Sequence, residues 1–238
     1  MPFAYLLVYH GSRDPRPQAA VEKLAELVCQ SILTSRLKPM VGTASLELNP
    51  VPLHQQIKEF GERALGYGYK NLQVVPLFLL PGVHVMEDIP DAVAIAQQAL
   101  GKEVKIDLRP YLGTDPGLKD LLATQILPKK DAWILLAHGS RRPGSNQPVE
   151  AMATQLGAVE AYWYVPPRLE SRLKGLISAG HQKIQILPYF LFAGGITDAI
   201  AQSVEHLKVE FPNALLDLAE PLGASAELAE LIVGLMGK

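Results

Sequence analysis

The pentapeptide YHGSR, Tyr9 to Arg13, ends the first apolar run of the chain, and AHGSR, Ala137 to Arg141, repeats it 128 residues later. Flanking positions match in the same order. The matched residues of the first copy are Leu7, His10, Gly11, Ser12, Arg13, Pro15, Val21, Glu22 and Ala25. An ordered match of this length indicates an internal repeat of one structural unit.

A second pair of similar segments supports the repeat. LQVVPLFLLPG begins at Leu72 and IQILPYFLFAG begins at Ile184, 112 residues later, so the second copy is shorter by about 16 residues between the two blocks. The segment LPKKD, residues 127–131, is polar and contains proline, which is typical of a boundary. We therefore predict two similar domains, residues 1–128 and 129–238.

Each copy alternates between short apolar runs and segments with helical periodicity, four of each. Continuous runs such as QVVPLFLL are typical of strands that are covered on both faces, as in parallel α/β sheets. We predict an α/β fold with two doubly wound lobes, each a mainly parallel four-stranded sheet flanked by helices. The predicted strands are 3–9, 41–48, 72–79, 104–108, 132–137, 158–164, 184–191 and 215–218, and the predicted helices of the first copy are 17–35, 53–65, 89–100 and 116–126.

Composition excludes several classes of protein. The net charge of −2, without a basic stripe, argues against a nucleic acid partner. The first residues lack a basic region and a long apolar run, so we expect a cytoplasmic protein with no membrane partner. The single cysteine, Cys29, excludes an internal disulfide and a cysteine-ligated zinc or iron–sulfur site within one chain. We expect a monomer or a weak homodimer.

Three chemically active side chains follow three strands of the first copy. His10 comes after the first strand, Glu47 lies on the second, and His84 comes just beyond the third. Ligands of parallel sheets bind beyond the carboxyl ends of the strands, so these side chains are expected to meet. A carboxylate at a buried strand end costs on the order of several kcal/mol unless it is paired, so Glu47 should face a cation or a donor. Two imidazoles and a carboxylate form a candidate site for iron or cobalt.

The second copy is an internal comparison. Aligning Pro50 with Pro166 places Trp163 opposite Glu47, and aligning Pro76 with Pro188 places Ile196 opposite His84. Of the three side chains only a histidine, His138, is kept. We therefore predict a metal site in the first copy alone, with the second copy as a scaffold.

The segments YHGSRDPR, LEL and PLFLLPGVHVMEDIP resemble the sirohydrochlorin chelatases of sirohaem and cobalamin biosynthesis, which are class II chelatases, like ferrochelatase. The resemblance covers nearly the whole chain, in the long two-lobed form. It implies a lyase that inserts a divalent metal into a tetrapyrrole held in the cleft between lobes. It also implies that His10 and His84 handle the metal as catalytic residues and that Glu47 is their acidic partner.

The same resemblance implies that the metal is a substrate and that no organic cofactor is needed. Some cobalt-associated long members carry histidine-rich or Cys-x-x-Cys tails, and this sequence has neither, which favours Fe²⁺ over Co²⁺. The chain also lacks the glycine-rich phosphate motifs of nucleotide-dependent enzymes.

Several residues are candidates for binding the tetrapyrrole, sirohydrochlorin. Ser12 and Arg13 could bind a peripheral carboxylate, or Arg13 could be a solvated surface charge. An apolar group after the third strand could contact the flat ring, or could be ordinary packing. This group is Leu80, Pro81 and Val83. Asp88, four residues after His84, either orients the imidazole or caps the next helix.

The sequence also bears on two other functions. A phosphate-transfer enzyme with a histidine nucleophile commonly has arginine before its His-Gly pair. Here Tyr9 and Ala137 occupy that position, which argues against this class of enzyme. A non-catalytic carrier of metal or tetrapyrrole is compatible with the sequence and stays open.

Overall fold

The computed structural model describes residues 3–32 and 39–237. It contains two four-stranded sheets in which every pairing is parallel, with strand orders β2-β1-β3-β4 and β6-β5-β7-β8. The first and third strands pair in the same register in both sheets: Val8 pairs with Pro76 in the first sheet, and Leu136 pairs with Pro188 in the second. The predicted α/β fold with two similar lobes is confirmed. Among the described residues, no helix combines the length and the apolar character needed to cross a membrane.

The elements alternate along each copy as strand and helix. In the first copy they are β1 (Phe3–Tyr9), α1 (Pro15–Ile32), β2 (Met40–Ser45), α2 (Leu53–Gly66), β3 (Asn71–Pro76), a π-helical turn (His84–Asp88), α3 (Ile89–Leu100), β4 (Lys105–Leu108), a 3₁₀ turn (Leu112–Thr114) and α4 (Gly117–Ala123). In the second copy they are β5 (Ala132–Ala137), α5 (Gln147–Leu156), β6 (Val159–Tyr162), α6 (Leu169–Ser178), β7 (Lys183–Pro188), α7 (Gly195–Glu210), β8 (Leu215–Leu218) and α8 (Ala226–Leu235).

The predicted bounds are right where an apolar run and a hydrogen-bonded strand coincide, as in β1, β5 and β8. Strands β2 and β3 end earlier than predicted, at Ser45 and Pro76. After β3 the apolar run continues because the start of the loop is buried: Leu77 is 3% exposed and its N–H donates to the carbonyl of Val8. The predicted end of α1 at Ser35 lies outside the described residues.

The core of the first sheet forms because its central strand is apolar on both faces. Leu6 and Val8 of β1 lie on the face that α2 and α3 cover, where Ile57 and Ile89 are fully buried. Each buried aliphatic side chain contributes about 1.5–3 kcal/mol relative to exposure. This packing fixes the sheet whose carboxyl edge carries the candidate site.

The chain divides into two compact units, Met1–Asp115 with Ala224–Lys238, and Pro116–Gly223. Helix α8, at the end of the second copy, packs against α1, and helix α4, at the end of the first copy, packs against α5. The predicted domains, 1–128 and 129–238, therefore describe the sequence repeats and not the compact units. An amphipathic pattern shows that a helix face is buried, but not which surface covers it, so the sequence did not predict these two helix contacts.

The packing of α8 generates a stability prediction. Ile232 of α8 is fully buried, so Ile232→Ala should lower the free energy of unfolding by about 2–4 kcal/mol through the lost contacts and the cavity. Glu230→Ala, on the exposed face of the same helix, should change it by less than about 0.5 kcal/mol. Denaturant unfolding measures both values.

Hydrogen exchange locates the effect of Ile232→Ala. Because α8 belongs to the first compact unit, protection should fall in residues 3–115 more than in residues 116–223. Loss of protection confined to the second unit would contradict the assignment of α8.

Candidate metal centre

The structure brings the three predicted metal-site residues together at the carboxyl edge of the first sheet. His10 directly follows β1, Glu47 lies two residues beyond β2, and His84 is the first residue of the π-helical turn. One nitrogen or oxygen atom from each lies within 4.8 Å of the others. His84 Nε2 is 3.9 Å from Glu47 Oε1, and the two imidazole rings are 4.9 Å apart and nearly perpendicular.

The backbone holds His10 and Glu47 next to each other. The N–H of Glu47 donates to the carbonyl of His10 at 2.8 Å, which extends the β1–β2 ladder beyond the strands. Gly11 has φ of 98°, and a Cβ at this position would lie 2.1 Å from the carbonyl oxygen of Glu47. Only glycine permits this approach, which explains the His-Gly pair in the sequence.

His84 is oriented by Asp88. His84 Nδ1 lies 2.7 Å from Asp88 Oδ2, and the Asp88 side chain makes no capping hydrogen bond to α3. A carboxylate accepts the hydrogen of Nδ1, which leaves the lone pair of Nε2 free on the side of Glu47. Of the two roles considered for Asp88, the structure therefore shows the contact with the imidazole. Likewise, His10 Nδ1 lies 3.3 Å from the carbonyl of Gly11.

The site is more open than the sequence suggested. His10 and Glu47 are exposed and His84 is partly exposed. The expected desolvation of Glu47 is wrong, because β2 ends before this residue and its carboxylate stays in contact with water. A cation at this site would therefore bind ligands that are already close together and hydrated.

The distances suit one small divalent ion after a minor adjustment. Bonds from zinc-like ions to nitrogen and oxygen ligands are about 2.0–2.2 Å, so neighbouring ligand atoms stand roughly 3–3.5 Å apart. The 3.9 Å separation between His84 Nε2 and Glu47 Oε1 closes to this value with a side-chain movement of about 1 Å. Three ligands leave further coordination positions to water or a substrate.

Sequence reasoning missed three neighbouring residues. Phe78 lies with its ring 6.3 Å from both imidazoles and also packs on the core, so it forms an apolar support beneath them. Leu48, 59% exposed, has φ of 58°, the one positive value for a non-glycine residue in the described part of the chain. Met86 in the π-helical turn is 63% exposed. Leu48 and Met86 could have been predicted from their closeness in sequence to the candidate ligands, since Leu48 follows Glu47 in LEL and Met86 lies within HVMED.

The predicted substrate-binding polar residues lie on the same edge of the sheet. Ser12 is exposed, and its Oγ accepts the N–H of Asp14, which shapes the turn. Asp14 also binds the guanidinium of Arg16, and these hydrogen bonds lower the pKa of Asp14 to about 2. Arg13 is exposed and stands between these residues.

The predicted apolar substrate contacts lie between β3 and the π-helical turn. All three are partly buried, so each presents some surface to solvent and some to the protein. They are Leu80, Pro81 and Val83.

The second copy keeps the backbone of the site but not its ligands. The N–H of Tyr164 donates to the carbonyl of His138 at 3.0 Å, as Glu47 does to His10. Tyr164, and not Trp163, therefore occupies the position of Glu47; the alignment on prolines was one residue out. The rings of Tyr164 and His138 are 4.5 Å apart. Within the described residues, the group at His10 is the one cluster able to hold a metal ion.

Two parallel sheets of the same strand order define a two-lobed α/β protein, and one sheet carries a histidine–glutamate–histidine group at its carboxyl edge as a candidate metal site. The CbiX family model matches residues 4–128 and again residues 132–236. The chain belongs to the CbiX family, and its two copies are two copies of that family's unit.

Curated relatives and a solved structure are consistent with this assignment. A sirohydrochlorin cobaltochelatase of Priestia megaterium is 25% identical over 95% of this chain and 76% of its own length. A sirohydrochlorin ferrochelatase of the same organism is 25% identical over 96% of this chain and 87% of its own length. A structure of SirB from Bacillus subtilis with Fe³⁺ matches with a TM-score of 0.81 and 23% identity, over 99% of this chain and 94% of that chain, which supports the fold.

The contact between Asp88 and His84 generates a prediction on metal affinity. Asp88→Ala should weaken Co²⁺ binding by roughly 10-fold or more, because the imidazole loses the acceptor that fixes its orientation. Asp88→Asn keeps an acceptor oxygen and should recover part of that affinity. Titration of the visible Co²⁺ absorption measures both variants.

Glu87→Ala is the matched control, since Glu87 is exposed and is the residue directly before Asp88. It should bind Co²⁺ within about two-fold of the unmodified protein. Equal affinities for Asp88→Ala and Glu87→Ala would show that Asp88 does not position the ligand.

Proposed function

We propose that this protein is a chelatase that inserts Fe²⁺ or Co²⁺ into sirohydrochlorin, with release of two pyrrole protons. The observation that carries the proposal is the convergence of His10, Glu47 and His84 at one open sheet edge in a member of the CbiX family. Relatives that cover most of the chain are named for the same reaction with each of the two metals.

The ligand set suits an ion that must be collected and then given up. A closed site of four thiolates and imidazoles holds zinc as a structural element. Here three ligands stand in contact with solvent, so water molecules can leave the remaining positions as ring nitrogens enter. Neutral imidazole and carboxylate also suit iron and cobalt, and between these ions availability decides more than site preference.

Insertion also requires a proton acceptor close to the ring nitrogens. Glu47 is the candidate, because its Oε1 is 3.9 Å from the metal-facing nitrogen of His84 and its carboxylate is exposed at the same edge. A general base must lie within hydrogen-bonding reach of the proton that it removes, directly or through one water. A ring lying over the three ligands satisfies this condition.

The surroundings of the site offer both kinds of contact that a carboxylated macrocycle needs. Leu48 and Val83 present apolar surface beside the ligands and can lie against the flat ring. Arg13 and the turn at Ser12 can bind a peripheral carboxylate, for which a guanidinium offers paired donors. Asp14 engages Arg16 and not Arg13, which leaves the Arg13 guanidinium on the exposed turn.

The test is an anaerobic insertion assay with sirohydrochlorin and either Fe²⁺ or Co²⁺. The absorption spectrum of the ring should change to that of the metallated product faster than in a protein-free control. Comparison of the rates with the two ions identifies the preferred metal. Binding of the tetrapyrrole or the ion without acceleration would show a carrier and would overturn the chelatase proposal.

His10→Ala and His84→Ala should each reduce the insertion rate by about 100-fold or more, because each removes a metal ligand. Both residues lie outside the buried core, so the thermal midpoint should stay within a few degrees of the unmodified protein, a difference of about 1 kcal/mol or less. Wild-type rates in either variant would place the site elsewhere.

Glu47→Gln and His138→Ala separate the two copies. Glu47→Gln keeps the shape of the side chain but removes its charge, so the insertion rate should fall by roughly 10-fold or more through lost proton acceptance. His138→Ala alters the equivalent histidine of the second copy and should leave the rate within about three-fold. If His138→Ala is as damaging as His10→Ala in a folded protein, both copies contribute to the reaction.

A further inference from the structure

The two copies allow a residue-by-residue comparison of the segment that carries His84. The third strands of the two copies are in register: Pro188 of β7 stands 112 positions after Pro76 of β3, and the two prolines pair with equivalent residues of the neighbouring strand. The following helices are not in the same register. Ile200, fully in the core of the second sheet, stands 111 positions after Ile89, which is fully in the core of the first.

The shift persists along both helices. Helix α3 buries Ile89, Ala92, Ala96 and Leu100 against its sheet. Residues 111 positions after three of these, all but Ala92, also pack on the second core. They are Ile200, Leu207 and Phe211. The first copy therefore contains one additional residue between its third strand and the buried face of the next helix.

The additional residue is accommodated by the π-helical turn at His84–Asp88. The N–H of Ile89 donates to the carbonyl of His84, five residues earlier, whereas an α-helix would use the carbonyl four residues earlier. Helix α7 of the second copy is α-helical from its first residue, Gly195. In the described residues, the turn thus occurs in the copy that has the metal ligands.

The turn makes no contribution to the core, since none of its five residues is buried. It does, however, contain both members of the His84–Asp88 pair, at 2.7 Å, and it presents His84 Nε2 to Glu47 at 3.9 Å. One added residue allows Ile89 to stay in the core while the preceding residues are moved relative to the helix. Single π-turns of this kind are frequent at functional sites.

We infer that the additional residue of the π-helical turn is the positioning device for His84: it sets the imidazole opposite His10 and Glu47 without changing the register of α3. The inference rests on the metal site proposed above and adds to it the element that creates the geometry. The turn itself does not touch the ion except through His84. An alternative is that the residue was inserted without any effect on the ligands.

Deletion of Glu87 tests the inference. Glu87 is exposed, and without it the N–H of Ile89 lies four residues after His84, so the same two backbone groups can form an ordinary α-helical bond. The second copy shows that a lobe of this fold accommodates the shorter segment. We expect a folded protein whose thermal midpoint matches the unmodified protein, whose Co²⁺ affinity is at least about 10-fold lower, and whose Co²⁺ absorption spectrum is changed.

Two further variants complete the test. Glu87→Ala removes the same side chain but keeps the residue count, and it should bind Co²⁺ within about two-fold of the unmodified protein with the same spectrum. Deletion of Met86, which is also exposed, shortens the turn equally and should reproduce the effect of deleting Glu87.

The outcomes are distinguishable. If the unmodified protein does not bind Co²⁺, the proposed metal site fails, whatever the deletions do. If it binds Co²⁺ and a folded deletion variant binds as tightly with an unchanged spectrum, the positioning role is overturned. If neither deletion variant folds, the residue supports the fold itself, and the inference is overturned as well.

Discussion

The hydrogen bond from the N–H of Glu47 to the carbonyl of His10 is the constraint on which the site depends. It exists because Gly11 has a backbone conformation that other residues avoid and has no Cβ to strike the Glu47 carbonyl. The second copy has the same arrangement, with Tyr164 donating to His138 beside Gly139 at φ of 82°. The duplicated feature is thus a backbone junction between two strand ends. Its chemistry is decided by the side chains at the junction.

Much of the site could be predicted because a parallel sheet gathers its strand ends at one edge. The meeting of His10, Glu47 and His84 follows from that rule alone, without any local metal motif. Features that depend on a single residue, or on packing between distant segments of the chain, could not be predicted. Two such features each depend on a shift of a single residue. They are the position equivalent to Glu47, which is occupied by Tyr164 and not by Trp163, and the π-helical turn. The packing of α8 on α1 joins segments from opposite ends of the chain, for which periodicity carries no information.

The two copies also show how a fold can keep its stability while one site changes. Ile89 of α3 and Ile200 of α7 are equivalent residues, and each is buried in the core of its own sheet. The three residues just before Ile89 are exposed, whereas Ala199, just before Ile200, is partly buried. One additional residue at the exposed turn before Ile89 removes little core packing, because no residue of the turn is buried and Ile89 stays in the core. A ligand position is therefore easier to alter here than within a strand.

The openness of the candidate site suits a protein that must release its ion. A structural zinc site binds with about 14 kcal/mol, or a dissociation constant of about 10⁻¹⁰ M, and at an association rate constant of about 10⁹ M⁻¹s⁻¹ the ion would leave at about 0.1 s⁻¹. Typical enzymes turn over at about 10 s⁻¹, so an ion that must leave the protein in every cycle needs binding weaker by about 3 kcal/mol. Three candidate ligands instead of four, all of them at least partly exposed, favour weaker binding than in such a closed site. The exposure of Glu47, which contradicts the expectation of a paired buried carboxylate, is thus what a site that transfers its ion requires.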